Sequence, residues 1–386
     1  MPHGQSIKLQ ILSSLDHIDP RSWDKCAGIS NPFVSHAFLN SLEKSGSVKA
    51  ETGWLPQHLT LEDASGKLIG AVPCYLKNHS YGEYVFDWGW AEAFEKAGGA
   101  YYPKLQVSVP FSPVTGPRLL AGCDKNIKST RRILVKGLKD LANEHKVSSL
   151  HITFCEKKER ELLGKEEFLK RLGQQFHWQN EGYDSFDDFL EVLNSRKRKN
   201  IRKERKFANS IAKVRILTGD DIKPKHMEIF YKFYISTIEK KWSHAYLNRD
   251  FFMLLQENLA SKIVLIMAKD NDDYIGAALN FLGTDTLFGR NWGGLPNYPM
   301  LYFEVCFYRA IDFAIENKLQ KVEAGAQGPH KISRGYLPSE TYSAHWIRNE
   351  NFREAIAQFL KREEEQTQWE MATLKGERSP FKKEHI

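Results

Sequence analysis

Ile263-Val-Leu-Ile-Met-Ala-Lys-Asp-Asn-Asp-Asp-Tyr-Ile-Gly-Ala-Ala-Leu-Asn-Phe-Leu282 reads as two strands joined by a polar turn. Its first six residues form an unbroken apolar run, as expected of a strand covered on both faces. The cluster Asp270 to Asp273 supplies turn chemistry, and a second apolar run follows. The segment His58-Leu-Thr-Leu-Glu-Asp-Ala-Ser-Gly-Lys-Leu-Ile-Gly-Ala-Val-Pro-Cys-Tyr-Leu76 reads the same way, turning at Ser65-Gly66. Placing Ile69-Gly70-Ala71 on Ile275-Gly276-Ala277 pairs apolar with apolar along both hairpins.

The likeness continues outward. A third strand is expected after each hairpin, ending in Trp88-Gly89 in the first copy and Trp292-Gly293 in the second. Each copy then supplies an amphipathic helix and a strand, 127–145 with 149–154 and 301–316 with 321–325. The first copy carries a longer insertion, Ala91 to Leu120, before its helix. The same order in both halves predicts a mixed α/β protein of two homologous units, 1–183 and 184–386.

Charge is localised. The chain has 55 Lys and Arg against 48 Asp and Glu. Arg196-Lys-Arg-Lys-Asn-Ile-Arg-Lys-Glu-Arg-Lys206 holds eight of the basic residues and one of the acidic ones, leaving 47 of each elsewhere. A uniformly basic, histone-like protein is excluded, and polyanion binding is expected to be local. Ser185 and Asp188 suit the start of a short helix, and Ser195 suits the cap of a second one over 195–211. Ile201, Ala208 and Ile211 make a thin apolar seam, leaving most of the circumference to Lys and Arg that repel at i,i+4. An anion grip is the expected use.

Other classes drop out. No basic stretch followed by an apolar run marks a signal peptide near residue 1. The aliphatic run 263–268 is far short of the roughly 20 residues of a spanning helix, so no membrane span is expected. The five cysteines are scattered without a Cys-x-x-Cys, which predicts reduced thiols, no metal and a cytoplasmic setting. Walker, Rossmann, nucleophile-elbow and zincin motifs are all missing.

The duplicated unit resembles the GNAT acyltransferase core. Two such cores with a basic helix ahead of the second resemble the Fem-type peptidyltransferases and their bacterial N-acyltransferase relatives, the peptidoglycan biosynthesis/recognition set. Ser195 to Lys206 is similar to that group's "R-x-x-I-R-K" helix, and Phe230-Tyr-Lys-Phe-Tyr-Ile-Ser-Thr237 to the helix that follows. Gly325-Ala-Gln-Gly-Pro-His-Lys-Ile-Ser-Arg-Gly-Tyr336 looks like its Gly-rich loop. Asn31 to Leu39, Gly82 to Trp88 and Val109 to Arg118 match the same set. The resemblance implies transfer of an acyl group from an acyl-CoA-like co-substrate to a small-molecule or peptide amine. An aminoacyl-tRNA-dependent Fem-like reaction on a cell-wall precursor, with tRNA as partner, is the alternative. A non-catalytic nucleic-acid-binding protein is the reading from another class. Acetyl-CoA enzymes hold pyrophosphate on a Gln/Arg-x-x-Gly-x-Gly/Ala loop. Here Trp292-Gly-Gly-Leu-Pro-Asn-Tyr-Pro-Met-Leu301 has a different spacing, so a longer acyl group or an aminoacyl group stays open as the donor.

Amine acylation needs a proton acceptor, a stabilised oxyanion and a held leaving group. Glu323, on an inner strand, is expected to be a buried carboxylate serving as general base or as the ion partner of an arginine. His330 could relay a proton, and Lys331 occupies the family's loop lysine, a point charge for the donor carbonyl or phosphate. Arg334 offers a planar fork, and Arg290 is expected as a ligand clamp or as the partner of Glu323. Trp292, Gly293 and Gly294 are expected in substrate binding, the glycines by letting backbone N–H groups approach a phosphate, while Arg198, Lys199, Arg202 and Lys203 would grip phosphate. Glu304 is expected on the polar stripe of its helix, and the aromatic residues between Tyr84 and Tyr102 in core packing.

Overall fold

The computed structural model describes residues 7–240, 244–325 and 328–382. The chain forms two compact units, residues 1–173 with 341–367 and residues 174–340 with 368–386. Its strands are β1 (Lys8–Leu12), β2 (Trp54–Pro56), β3 (His58–Glu62), β4 (Leu68–Val72), β5 (Cys74–Lys77), β6 (Lys104–Val107), β7 (Ser149–Cys155), β8 (Leu169–Gln179), β9 (Lys213–Thr218), β10 (Ile263–Asp270), β11 (Asp273–Leu282), β12 (Thr286–Gly294), β13 (Lys321–Glu323) and β14 (Leu337–Ile347). The expected mixed α/β class is what forms.

In the first unit β1, β3 and β4 make a small antiparallel sheet, while β2, β5, β6, β7 and residues 341–347 of β14 line up in a second. The pair β6–β7 is parallel. Leu134, Leu138 and Leu141 of helix Ile127–Glu144 pack with Leu59, Leu105, Val107 and Leu150 into one apolar core. The opposite face of the β5–β7 ladder is polar yet buried, carrying Tyr75, Lys77, Lys104, Gln106 and His151. The strand that follows β5 in this unit is β6, Lys104–Val107, not the segment ending at Trp88-Gly89. Trp88 instead begins helix Trp88–Lys96, whose N-cap residue Asp87 is tied down by buried Lys104. Of the aromatic residues expected in the core, Trp90 and Tyr101 are buried, whereas Tyr84, Phe86 and Trp88 are exposed.

In the second unit residues 174–179 of β8 continue through β13, β12, β11, β10 and β9. Ile263 to Ala268 are buried on both faces, as their unbroken run requires. Asp270 pairs with Asp273, and Asn271 takes a positive φ of 50°, the geometry of a two-residue hairpin turn. Helix Pro224–Glu239 packs on β12 so closely that a Cβ on Gly293 would collide with the Phe233 carbonyl. The open face of Gly293, expected to admit a phosphate to the backbone, is thus already covered by a helix.

The basic segment folds as helix Ser195–Ile211, with Ile201 and Ala208 buried as its seam. Its cap is Asn194, whose side chain accepts from the Lys197 N–H at 3.0 Å, one residue before the expected Ser195. The sparse lattice expected of eight like charges is corrected by neighbouring elements. Arg205 reaches Glu304 at 3.2 Å and Asp312 at 3.1 Å, and Arg202 reaches Asp187 at 3.0 Å. Glu304 is fully buried between Arg205 and Arg309 rather than on a polar stripe. An ion so placed needs its partners, because desolvation alone would cost several kcal/mol.

Candidate active site

β12 and β13 run parallel for three residue pairs only, Thr286 with Lys321, Leu287 with Val322 and Phe288 with Glu323. Beyond these β12 continues to Gly294 while β13 stops, so the strands part at their carboxyl ends. Ligands of open α/β sheets gather at such places. At the point of parting the β11–β12 ladder slips. Leu279 opposes Asn291 and Asn280 opposes Gly289, leaving Arg290 as the extra residue of a bulge. A bulge bends its strand and redirects a side chain. Gly289 permits the approach, since a Cβ there would lie 3.2 Å from the Glu323 carbonyl oxygen.

The parting strands wall a cavity of about 70 Å³ whose lining includes Asn280, Arg290, Trp292, Tyr302, Cys306 and Ala324. Its helical wall is Leu301–Phe303 and Arg309–Glu316 joined by a π-helical turn, Glu304–Tyr308. Turns of this width occur often at functional sites. Trp292 and Tyr302 meet with ring centroids 5.7 Å apart.

Glu323 is fully buried, with Lys321 Nζ at 2.9 Å, Arg290 Nη2 at 3.4 Å and His177 Nε2 at 4.0 Å. Burial would raise its carboxyl, but His177, Lys321 and Arg290 outweigh that and pull it down to about 2. His177 itself is pushed down to about 4 by burial, so it is neutral at ordinary pH. A carboxylate held so acidic is a good counter-ion and a poor proton acceptor. Arg290 both lines the cavity and touches Glu323.

Lys331 is buried just behind the cavity wall. Its ammonium donates to the carbonyls of Ala324, at 2.5 Å, and Gly325, at 3.2 Å, the two residues that follow β13. Burial lowers it to about 8, with Arg290 adding to the same direction. His330 stands in a ring of aromatics, 5.8 Å from both Tyr302 and Phe307 between centroids. Its Nε2 is buried and has no hydrogen-bond partner among the described residues, and burial with the charges of Lys331 and Arg334 lowers its pKa. It is therefore a neutral imidazole at pH 7.

Arg334 is turned inward. It grips both oxygens of Glu204 at 2.8 Å and stacks on Phe303 at 3.4 Å. The Tyr308 hydroxyl donates to the same Glu204. Within the basic helix Arg198 is half-buried, while Lys199, Arg202 and Lys203 are exposed. Cavity residues Arg290 and Trp292 thus cluster with Glu323, His330 and Lys331, whereas Lys203 of the basic helix lines a different groove. Ala326 and Gln327 of the Gly-rich loop fall outside the described residues. Among the described residues no group of three His, Cys, Asp or Glu side chains could hold a metal ion.

Sequence reasoning passed over Cys306, Asn280 and Tyr302, which line the cavity. Cys306 and Tyr302 sit in apolar surroundings on a helix that reads as core, and no local pattern separates them from packing residues. Glu204 did leave a signal, as the one acid inside eight basic residues.

The chain belongs to the Fem-like family described as peptidoglycan biosynthesis/recognition, which it matches over residues 14–383. No curated protein matches it in sequence. Among solved structures it is similar to FemX, with a TM-score of 0.56 at 12% identity, covering 91% of this chain and 100% of that one. It is also similar to the C-terminal domain of a putative lysylphosphatidylglycerol synthetase from Agrobacterium fabrum, with TM-score 0.53, 9% identity and coverage of 92% and 95%. L-PGS from Bacillus licheniformis superposes with TM-score 0.51 at 9% identity, covering 89% and 97%. At these identities the likeness establishes a shared fold.

Proposed function

We propose that the second unit transfers an acyl or aminoacyl group to an amine, with the donor carbonyl seated in the gap between β12 and β13. The observation that carries this reading is the parting of the two strands with Arg290 bulged into the opening. The amine attacks the carbonyl carbon, the new C–N bond forms, and the C–S or C–O bond to the carrier breaks. His330 takes the proton of the attacking amine and returns it to the leaving atom, because its imidazole is neutral and its Nε2 has no partner among the described residues. Arg290 supplies positive charge for the developing oxyanion. Lys331 holds the Ala324 and Gly325 carbonyls aside and adds to that field as a cation. Glu323 keeps Arg290 in place rather than acting as base.

The acceptor this reading favours is an amine on a peptidoglycan precursor, given the family. An acyl-CoA and an aminoacyl-tRNA remain the competing donors. The exposed Lys199, Arg202 and Lys203 support the tRNA reading, under which binding weakens steeply with salt. A thermal-shift panel of acetyl-CoA, long-chain acyl-CoA and aminoacyl-tRNA, followed by transfer assays with each binder, tests this, since a ligand of the native state raises its apparent stability. Turnover should rise on the acid side as His330 loses its proton, below the ordinary histidine range, and fall as pH passes about 8, where Lys331 loses its charge. A profile that keeps rising through pH 8 would remove Lys331 as a cation. Absence of transfer from every donor, with none of them shifting the melt, would reject the reading.

A further inference from the structure

We propose that the exposed face of helix Ser195–Ile211 and the groove beside it dock on an anionic phospholipid bilayer. At 3.6 residues per turn, Arg196, Lys199, Lys203, Lys206 and Phe207 fall on one face, away from the buried Ile201 and Ala208. Their neighbours Arg202, Glu204 and Arg205 are committed to Asp187, Arg334 and Glu304. These four cations form no ion pair among the described residues, so their charge faces solvent.

An apolar surface lies in the middle of that charge. Phe207 is 45% exposed, Met300 39% and Leu295 48%. A groove of about 290 Å³ runs between Asn200, Lys203, Glu204 and Phe207 on the helix and Pro299 and Met300 on the loop before Leu301. That is room for roughly ten water-sized groups. Cations beside an exposed aromatic and an aliphatic groove match two layers of a bilayer surface. Lipid phosphates lie at the depth of the ammonium groups, and methylenes lie where Phe207 and Met300 would insert. The charge selects anionic over zwitterionic lipid. Nucleic acid would use the same cations, but it stacks bases on flat rings, and Pro299 and Met300 offer aliphatic walls instead. Among the described residues no helix is long and apolar enough to cross a membrane, so the association is peripheral.

The inference rests on the anion-grip reading only for Lys199 and Lys203. Arg196, Lys206, Phe207 and Met300 take no part in the transfer scheme. The test is sedimentation of the full chain with vesicles of phosphatidylcholine alone or mixed with phosphatidylglycerol, at low and high salt. The protein should pellet with the mixed vesicles only, and less so at high salt. Replacing Arg196 and Lys206 by Gln should lower the affinity about thirty-fold. Phe207→Ser should lower it about ten-fold while leaving the melting temperature unchanged. Equal pelleting with both vesicle types, no pelleting with either, or undiminished binding by Phe207→Ser overturns the proposal. Full competition by glycerol 3-phosphate would mark a soluble phosphate site instead, and displacement of vesicles by RNA through Phe207 a nucleic-acid site. Transfer between soluble substrates is measured on the same proteins. Vesicle binding lost with transfer intact separates this face from the catalytic reading, whereas failure of transfer in the wild type leaves the vesicle result standing alone.

Discussion

The two units build the same parallel strand pair and treat its carboxyl end in opposite ways. In the first unit β6 and β7 pair at Leu105 to Val107 with Leu150 to Ile152. Loop 108–118 folds back so that Gly116 N–H donates to the Phe154 carbonyl at 3.0 Å. The fully buried Arg118 donates to the carbonyls of Thr153 at 2.9 Å, Gly116 at 3.2 Å and Pro117 at 3.0 Å. In the second unit an arginine also stands near the end of the pair, but Arg290 lies on a bulge beside a cavity and is balanced by Glu323. One arginine closes a gap with backbone carbonyls, and the other stands at an open one. Under the proposed function, the second unit's cleft is the one kept for chemistry.

That contrast can be broken most forcefully at His330. His330→Gln should cut turnover on the order of a hundred-fold or more, the usual worth of a positioned general base, with the melting temperature close to wild type. Comparable turnover in the variant would take the proton transfer away from this residue. Arg118→Met should do the reverse. Turnover per folded molecule stays unchanged, while urea unfolding shows a loss of about 3 kcal/mol or more, because several buried carbonyls lose a charged donor. A drop in turnover without that loss would place chemistry in the first unit.

A third effect of similar size is acid sensitivity. Glu323 ionises near 2 in the fold, against an ordinary value of 4.5. A lowered carboxyl contributes stability that is fully present above the ordinary value and is lost as pH falls from there toward 2. The contribution is worth about 3 kcal/mol. Acid unfolding of Glu323→Gln should therefore be flatter than wild type between those two values. Parallel curves would show that Glu323 is not the ion described. The smallest expected change is in Lys331→Arg, which keeps the charge, so the alkaline limb near pH 8 should move up rather than disappear.

Much of the scaffold was legible because it is written in local patterns. The run 263–268, the turn at Asn271, the helices at 127–144 and 195–211 and the repeated strand order all follow from spacing and turn chemistry. Trp88-Gly89 misled because a Trp-Gly pair looks alike at a strand end and at a helix start, and the deciding partner, Lys104, lies far along the chain. Burial of Glu304 was hidden for the same reason. Its surface-like spacing on a helix is overruled by Arg205, which comes from another helix. At the candidate site, Arg290 and Glu323 could be named from residue type and strand position, His330 from its Gly-rich loop, and Lys331 from the resemblance to the Fem-type loop. The register slip that isolates Arg290, and the inward turn of Arg334 onto Glu204, depend on long-range pairing that no local stretch records.

Amide hydrogen exchange with each donor present tests the open-cleft claim most directly. A bound donor should protect amides at 289–292 and 324–325 and leave those at 108–118 unchanged. Protection centred on 108–118, with 289–292 exchanging as in the free protein, would contradict the account.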